Sequence, residues 1–145
     1  MSKHKALIIE DTKANRIFFE RFILSAGYDV ISVETGKAAL DQTADLDDLA
    51  LAIVDMEIPD SNGLDMTAEL RERFPACCIV VATMHDERSL MESAYDKGCD
   101  VFLVKPHGFM DLFKKLTSDG SAHLHQNRPF VIDKFGLRPF ELAVT

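Results

Sequence analysis

Short apolar runs alternate along the chain with longer segments in which apolar residues return at helical spacing. The runs cover residues 6–9, 29–33, 51–54, 79–82 and 101–104, and are rich in Ile and Val. Most lack the polar alternation of a half-exposed strand, which predicts a sheet covered on both faces, and therefore a parallel one. Helices are predicted over 13–26, 36–43, 64–74, 87–97 and 108–116. Their punctuation agrees: Gly27 stops the first helix, Pro75 follows the third, and Thr35 and Asp86 stand where side chains cap helix starts. Five βα units result. Because crossovers between parallel strands are almost always right-handed, the economical architecture is a doubly wound α/β sheet with helices on both faces.

The last segment has a different character. Arg128-Pro129-Phe130 and Arg138-Pro139-Phe140 echo each other around Gly136, and residues 130–132 and 140–144 are apolar enough to pack. The expected division is a main domain over 1–118 and a C-terminal arm over 119–145. Three readings of the arm stand open: packing on this domain or on a second copy, which would make a homodimer; a disordered tail; or a short partner-binding peptide. His123 and His125 lack a fixed third ligand and are read as surface residues.

Charge narrows the possible partners. The 145 residues carry 16 Lys plus Arg against 24 Asp plus Glu, a net charge of −8. Without a basic run, direct binding to nucleic acid or an anionic membrane is not expected, since both rely on positive side chains to neutralise phosphates. No apolar run approaches the roughly 18 residues of a membrane span, and no signal peptide is legible, so a cytoplasmic location is expected. One core fits this length. A second, output domain does not. Cys77, Cys78 and Cys99 match no metal or redox spacing and are read as buried, reduced core residues.

In a doubly wound sheet, functional groups gather at the carboxyl ends of the strands. Glu10 and Asp11 follow the first predicted strand, Asp55 the third, Thr83 the fourth and Lys105 the fifth. Carboxylates crowded together raise one another's pKa unless a cation neutralises them. Mg²⁺ suits such a set, because it takes one or two carboxylates plus a phosphate oxygen and retains water. The set therefore points to phosphoryl transfer, with Asp55 as nucleophile, Lys105 as a second positive charge and Thr83 as hydroxyl donor.

With these motifs in order and spacing, the chain over about residues 3–117 resembles the receiver domains of two-component response regulators. The resemblance rests on Glu10-Asp11, on Asp55 within Ile53-Val54-Asp55-Met56-Glu57-Ile58-Pro59-Asp60-Ser61-Asn62-Gly63, on Val81-Ala82-Thr83 and on Lys105-Pro106. It implies a flavodoxin-like strand order 2-1-3-4-5, Asp55 as phosphoacceptor, and Mg²⁺ held by Glu10, Asp11, Asp55 and the Glu57 backbone carbonyl. It further implies that Gly63 lets the loop turn into the third helix, that the Lys105-Pro106 bond is cis, and that Thr83 and Phe102 form the switch. Glu10 stands where Asp is commoner, and His85 and Glu57 occupy positions where the family tunes phosphoryl lifetime.

The implied partners are a histidine kinase or histidine phosphotransfer protein and a downstream protein target, read out through the fourth helix, fifth strand and fifth helix. On the first helix, Ile17, Phe18 and Phe22 are expected on the sheet, with Phe19 and Ile23 to the side. The surplus apolar surface would dock a histidine-bearing donor or accept the arm. Beyond its own phosphorylation and dephosphorylation, no enzyme activity is expected. The alternatives are a small Mg²⁺-dependent phosphohydrolase with an Asp nucleophile, although those usually place it after the first strand, and a receiver-like interaction module that is not phosphorylated. A flavin-binding protein of the same fold class is weaker still, lacking a phosphate-cradling loop after the first strand.

Overall fold

A computed structural model of the protein describes residues 4–141. Nine strands and six helices follow one another as β1 (Lys5–Ile9), α1 (Lys13–Ser25), β2 (Asp29–Val33), α2 (Gly36–Gln42), β3 (Leu51–Asp55), β4 (Glu57–Ile58), β5 (Ser61–Asn62), α3 (Gly63–Arg73), β6 (Cys78–Thr83), α4 (Arg88–Asp96), β7 (Val101–Val104), α5 (Phe109–Ser118), α6 (Ser121–Gln126), β8 (Phe130–Asp133) and β9 (Gly136–Pro139). The main sheet runs β2-β1-β3-β6-β7-β8-β9, and β4 pairs with β5 in a separate small hairpin. Neighbours from β2 to β8 are parallel, and β9 returns antiparallel to β8. Within this sheet the five predicted strands hold the expected order. Every residue of β3, β6 and β7 is buried, as their unbroken apolar runs require.

The segment after Ser118 is part of the sheet. Helix α6 leads into β8, which pairs in parallel with β7 through Val101↔Phe130, Phe102↔Val131 and Leu103↔Ile132. Phe130, Val131 and Ile132 are buried. Phe140, just beyond β9, packs on Tyr95 of α4 with ring centroids 4.7 Å apart. Residues 142–144 of the predicted apolar stretch lie outside the described residues. Of the three readings of the arm, packing on its own domain is the one observed over 121–140.

A buried ionic cluster fixes this segment at the amino end of β7. Asp100 is fully buried. Its carboxylate accepts from Arg71 Nη2 at 2.6 Å and from the Ile79 backbone N–H at 2.9 Å. His125 Nδ1 lies 3.2 Å from both carboxylate oxygens, and Arg128 Nε lies 3.6 Å from Oδ1. His125 is therefore not the plain surface residue its sequence context suggested. An unpaired charge at this depth would be costly, so Asp100 is tolerated only because cations and donors from α3, β6 and the C-terminal segment converge on it.

Two local expectations are reversed. On α1, Phe19 and Ile23 are the buried residues, while Phe18 is 43% exposed. Phe18 and Phe22 turn toward α5, where Phe18 meets Phe109 at 4.9 Å and Phe22 meets Phe113 at 5.2 Å. The stripe is wide because α1 faces two neighbours, the sheet and α5. Asp86 does not cap α4: the helix begins after Glu87, with no side-chain cap. Gly63 begins α3, as the resemblance implied, and does so without positive φ. Its constraint is close approach, since a Cβ there would lie 2.7 Å from Met56 Cα and 3.0 Å from the Asp55 carbonyl oxygen.

Replacing Asp100 with alanine strips the acceptor from Arg71, His125 and Arg128 together. Urea unfolding should show a loss of roughly 3–5 kcal/mol, the usual cost of breaking a buried pair from one side. A loss below about 1 kcal/mol would mean that water replaces the carboxylate at no great cost.

Candidate functional site

Parallel pairing aligns the carboxyl ends of the central strands. Asp55 closes β3 opposite Ala82, and Thr83 closes β6 opposite Val104. The Met56 N–H donates to the Ala82 carbonyl at 2.9 Å, and the Lys105 N–H donates to the Thr83 carbonyl at 2.7 Å. Each side chain thus leaves a backbone already fixed by the ladder. Lys105-Pro106 is cis, as the resemblance implied; Arg128-Pro129 is cis as well.

The result is a cleft of about 560 Å³ lined by Glu10, Asp11, Thr12, Asn15, Asp55, Glu57, Thr83, Met84, His85 and Lys105. Glu10, Asp11 and Asp55 each contribute a carboxylate oxygen to a group whose members lie within 4.8 Å of one another. Glu10 and Asp55 are buried, and Asp11 is exposed. Lys105 Nζ donates to Asp55 Oδ1 at 2.9 Å and stands 3.6 Å from Glu10 Oε2. One lysine thus serves two buried carboxylates. Burial pushes the Asp55 carboxyl up to about 6, Lys105 opposes the rise, and Glu10 and Asp11 add to it. Glu10 Oε1 accepts from Asn15 Nδ2 at 3.1 Å, whereas buried Oε2 has no hydrogen-bond partner among the described residues. A buried acceptor without a donor is expensive, and a hard cation would satisfy it. This set of oxygens therefore fits a divalent ion.

The remaining predicted residues fall on the rim or beneath it. Thr83 is buried, and its Oγ1 accepts from the His85 N–H at 3.2 Å. Glu57, in β4, keeps its carboxylate exposed, 3.4 Å from His85 Nε2. Phe102 is fully buried in β7, in a cluster with Met56, Val81, Met91, Val131 and Phe140. It therefore lies beneath the cleft and does not line it. Sequence reasoning missed Asn15 and Arg16, which follow the acidic pair by less than two turns of α1. Arg16 Nη1 donates to the Glu10 carbonyl at 2.9 Å and its Nη2 pairs with Glu34 at 3.1 Å, bracing the acidic loop. It also missed Asp60, whose oxygens accept from the N–H groups of Gly36 and Lys37 at 2.8 and 2.9 Å, tying the loop after β3 to the start of α2. These backbone donors hold the exposed Asp60 carboxyl below its ordinary range. Cys77, Cys78 and Cys99 are all buried and unbridged, and burial pushes their thiols up, away from the reactive thiolate.

Comparison with known proteins identifies the family. The family model for the response regulator receiver domain matches residues 6–117. A cyclic di-GMP phosphodiesterase of Thermotoga maritima is 27% identical over 86% of the chain, and the chain spans 32% of its length. The KDP operon transcriptional regulatory protein KdpE of Escherichia coli is 30% identical over 94% of the chain, which spans 60% of that protein. Among solved structures, a CheY-like receiver domain protein of Methanospirillum hungatei superposes with a TM-score of 0.74 at 20% identity, covering 86% of this chain and 98% of its own. Among the described residues no helix is long and apolar enough to cross a membrane. The family match spans β1 to α5 and includes every residue that meets in the cleft, and the chain belongs to the response regulator receiver domain family.

Proposed function

We propose that the chain is a phosphoacceptor switch: Asp55 takes a phosphoryl group from a phosphohistidine donor, and the change in charge at the cleft alters a protein-binding surface. One observation carries this reading. Asp55 is buried at the end of β3, 2.9 Å from Lys105 and grouped with Glu10 and Asp11, so the nucleophile, a positive charge and the oxygens for a cation occupy one cleft. Glu10, Asp11, Asp55 and the Glu57 carbonyl would hold Mg²⁺. When bound, the ion supplies positive charge that neutralises the crowded carboxylates and the incoming phosphoryl oxygens.

The protein's own groups divide the remaining work. The Asp55 carboxylate attacks phosphorus while the donor imidazole leaves, keeping its bonding electrons. Lys105 stands beside the Asp55 oxygen and meets the developing negative charge. The Thr83 hydroxyl, at present an acceptor for the His85 N–H, turns to donate to a phosphoryl oxygen. A charge-assisted hydrogen bond of that kind contributes roughly 1.5–3 kcal/mol. With the Lys105 pair it approaches the roughly 5.5 kcal/mol needed to move a switch from 1:99 to 99:1. As Thr83 turns inward, Phe102, two strand positions before Val104 and the partner of Val81, shifts in the same direction.

The donor has a neighbouring surface to dock on. A hollow of about 270 Å³ between α1 and α5 is lined by Asn15, Phe18, Phe19, Lys105, Pro106 and Phe109, so it shares Asn15 and Lys105 with the acidic cleft. The 43% exposure of Phe18 leaves an aromatic edge in the hollow next to the acidic cleft. A helix carrying the donor histidine fits that position. The C-terminal segment lies at the β7 edge of the sheet, and none of its described residues lines this hollow.

The reading is tested with a small phosphodonor such as acetyl phosphate. With Mg²⁺ the wild type should gain one phosphoryl group by intact mass, and Asp55→Asn should gain none; equal labelling of both would refute the assignment. Continuous release of phosphate from simple esters would instead favour a phosphohydrolase.

Asp55 also makes stability depend on pH. Its carboxyl is raised from 3.8 to about 6, so the destabilising cost of ionising it is absent below the unfolded value, grows between the two, and is complete above about 6. In metal-free buffer, Asp55→Asn should exceed the wild type by about 1 kcal/mol at pH 7.5, after discounting for solvent screening, with the gap closing toward pH 4. Urea titrations at the two pH values check this. A gap independent of pH would show that ionisation of Asp55 is not its source.

A further inference from the structure

The face made by α4 and β7 already has an occupant. Phe140 lies outside any strand, yet is only 8% exposed. Its ring packs on Tyr95 at 4.7 Å, and the Arg88 guanidinium carbon lies 4.5 Å from its centroid. The Phe140 N–H donates to the Pro129 carbonyl at 2.9 Å. Arg88 Nη2 donates to the Glu141 carbonyl, and the Tyr95 hydroxyl donates to the Phe130 carbonyl. Two α4 side chains thus grip the C-terminal segment, one by its aromatic ring and main chain and the other by the strand leading into it.

We infer that residues 139–141 of this chain are a resident ligand of the α4–β7 face and that phosphorylation of Asp55 releases them. The last clause rests on the phosphoacceptor reading. The coupling runs through packed atoms. Phe140 shares its buried cluster with Met91, Ala94, Phe102, Val104 and Val131. Phe102 pairs with Val81 on one side and Val131 on the other, so it stands between the strand that ends in Thr83 and the strand that leads to Phe140. A shift of Phe102 toward Thr83 removes support from beneath Met91 and Phe140. Because close-packed clusters lose contacts abruptly when one member moves, the segment loses its seat.

The anchoring of the segment is graded to suit release at its tip. At its base, His125 and Arg128 hold buried Asp100, and β8 is laddered to β7. At its tip, among the described residues, Phe140 and the Arg88 contacts hold it to α4 and one backbone bond, from the Phe140 N–H, holds it to Pro129. The tip can therefore leave while the base stays paired. The vacated face would offer Arg88 as a donor and Tyr95 as an aromatic wall, the chemistry that fits a partner peptide presenting an aromatic side chain and a main-chain carbonyl.

Amide hydrogen exchange on the full chain, read by mass spectrometry, tests this with beryllofluoride plus Mg²⁺ as a phosphoryl mimic and ¹⁹F resonance to report its binding. Without the mimic, Phe140→Ala should raise exchange about tenfold in Arg88–Asp96 and in Gly136–Pro139, with β1 and β3 unchanged. Arg88→Ala should do the same to a smaller degree. In the wild type, the mimic should reproduce the Phe140→Ala pattern, and Asp55→Asn should not respond. Bound mimic with unchanged or slowed exchange in α4 overturns release while leaving the phosphoacceptor reading intact. Absence of bound mimic overturns that reading, and the trigger with it. Exchange unaffected by either substitution would show that Phe140 does not clasp α4.

Discussion

The charge balance around Lys105 is the constraint on which the cleft depends. Its ammonium stands 2.9 Å from an oxygen of Asp55 and 3.6 Å from one of Glu10, with Asp11 completing the acidic group. One positive charge cannot neutralise three carboxylates. Burial and the neighbouring carboxylates raise Asp55 to about 6 in spite of the lysine, and among the described residues Glu10 keeps a buried oxygen without a hydrogen bond. Such a site is unstable by itself and receptive to whatever brings positive charge or electron demand. On the proposed reading, cation binding and phosphoryl transfer are two responses to the same electrostatic deficit.

The rest of the architecture keeps that deficit in place. Fully buried strands hold Asp55, Thr83 and Lys105 on neighbouring ladder positions, so none can relax outward without breaking backbone hydrogen bonds. Gly63 presses its backbone against Met56 and the Asp55 carbonyl, fixing the loop behind Asp55. Strand β7 then lies between two ionic clusters, Asp100 with its cations before the strand and Lys105 with its carboxylates after it. The first secures the C-terminal segment to the sheet. The second, on the proposed reading, senses the phosphoryl group. A strand held at both ends and flanked by β6 and β8 is well placed to pass a displacement sideways from Thr83 to Phe140.

Much of this was legible in the sequence because it follows from periodicity and from topology. Unbroken Ile and Val runs marked the central strands, and a doubly wound sheet necessarily brings their carboxyl ends together, which groups Glu10, Asp11, Asp55, Thr83 and Lys105 from topology alone. What the sequence hid depends on long-range contacts. Asp100 looks like an ordinary acidic residue before a strand, and only the fold brings Arg71, His125 and Arg128 to it. Asp60 holds α2 from 24 residues away. On α1, five apolar residues fit more than one helical face, and the side packed on the sheet was decided by where α5 lies, which placed Phe19 inward and Phe18 outward. The C-terminal strands were too short, and too interrupted by proline and glycine, to separate an arm from an edge of the sheet.

Calorimetric titration of the metal-free protein with Mg²⁺ examines the electrostatic deficit most directly. Repeating the titration in buffers of different ionisation enthalpy counts the protons released on binding. Because burial raises the Asp55 carboxyl to about 6, binding at a single saturable site should release protons at pH 6 and markedly fewer at pH 8. Asp55→Asn should abolish the release at pH 6. Absence of saturable binding, or binding with no proton release at pH 6, would contradict a cleft built around an under-neutralised Asp55.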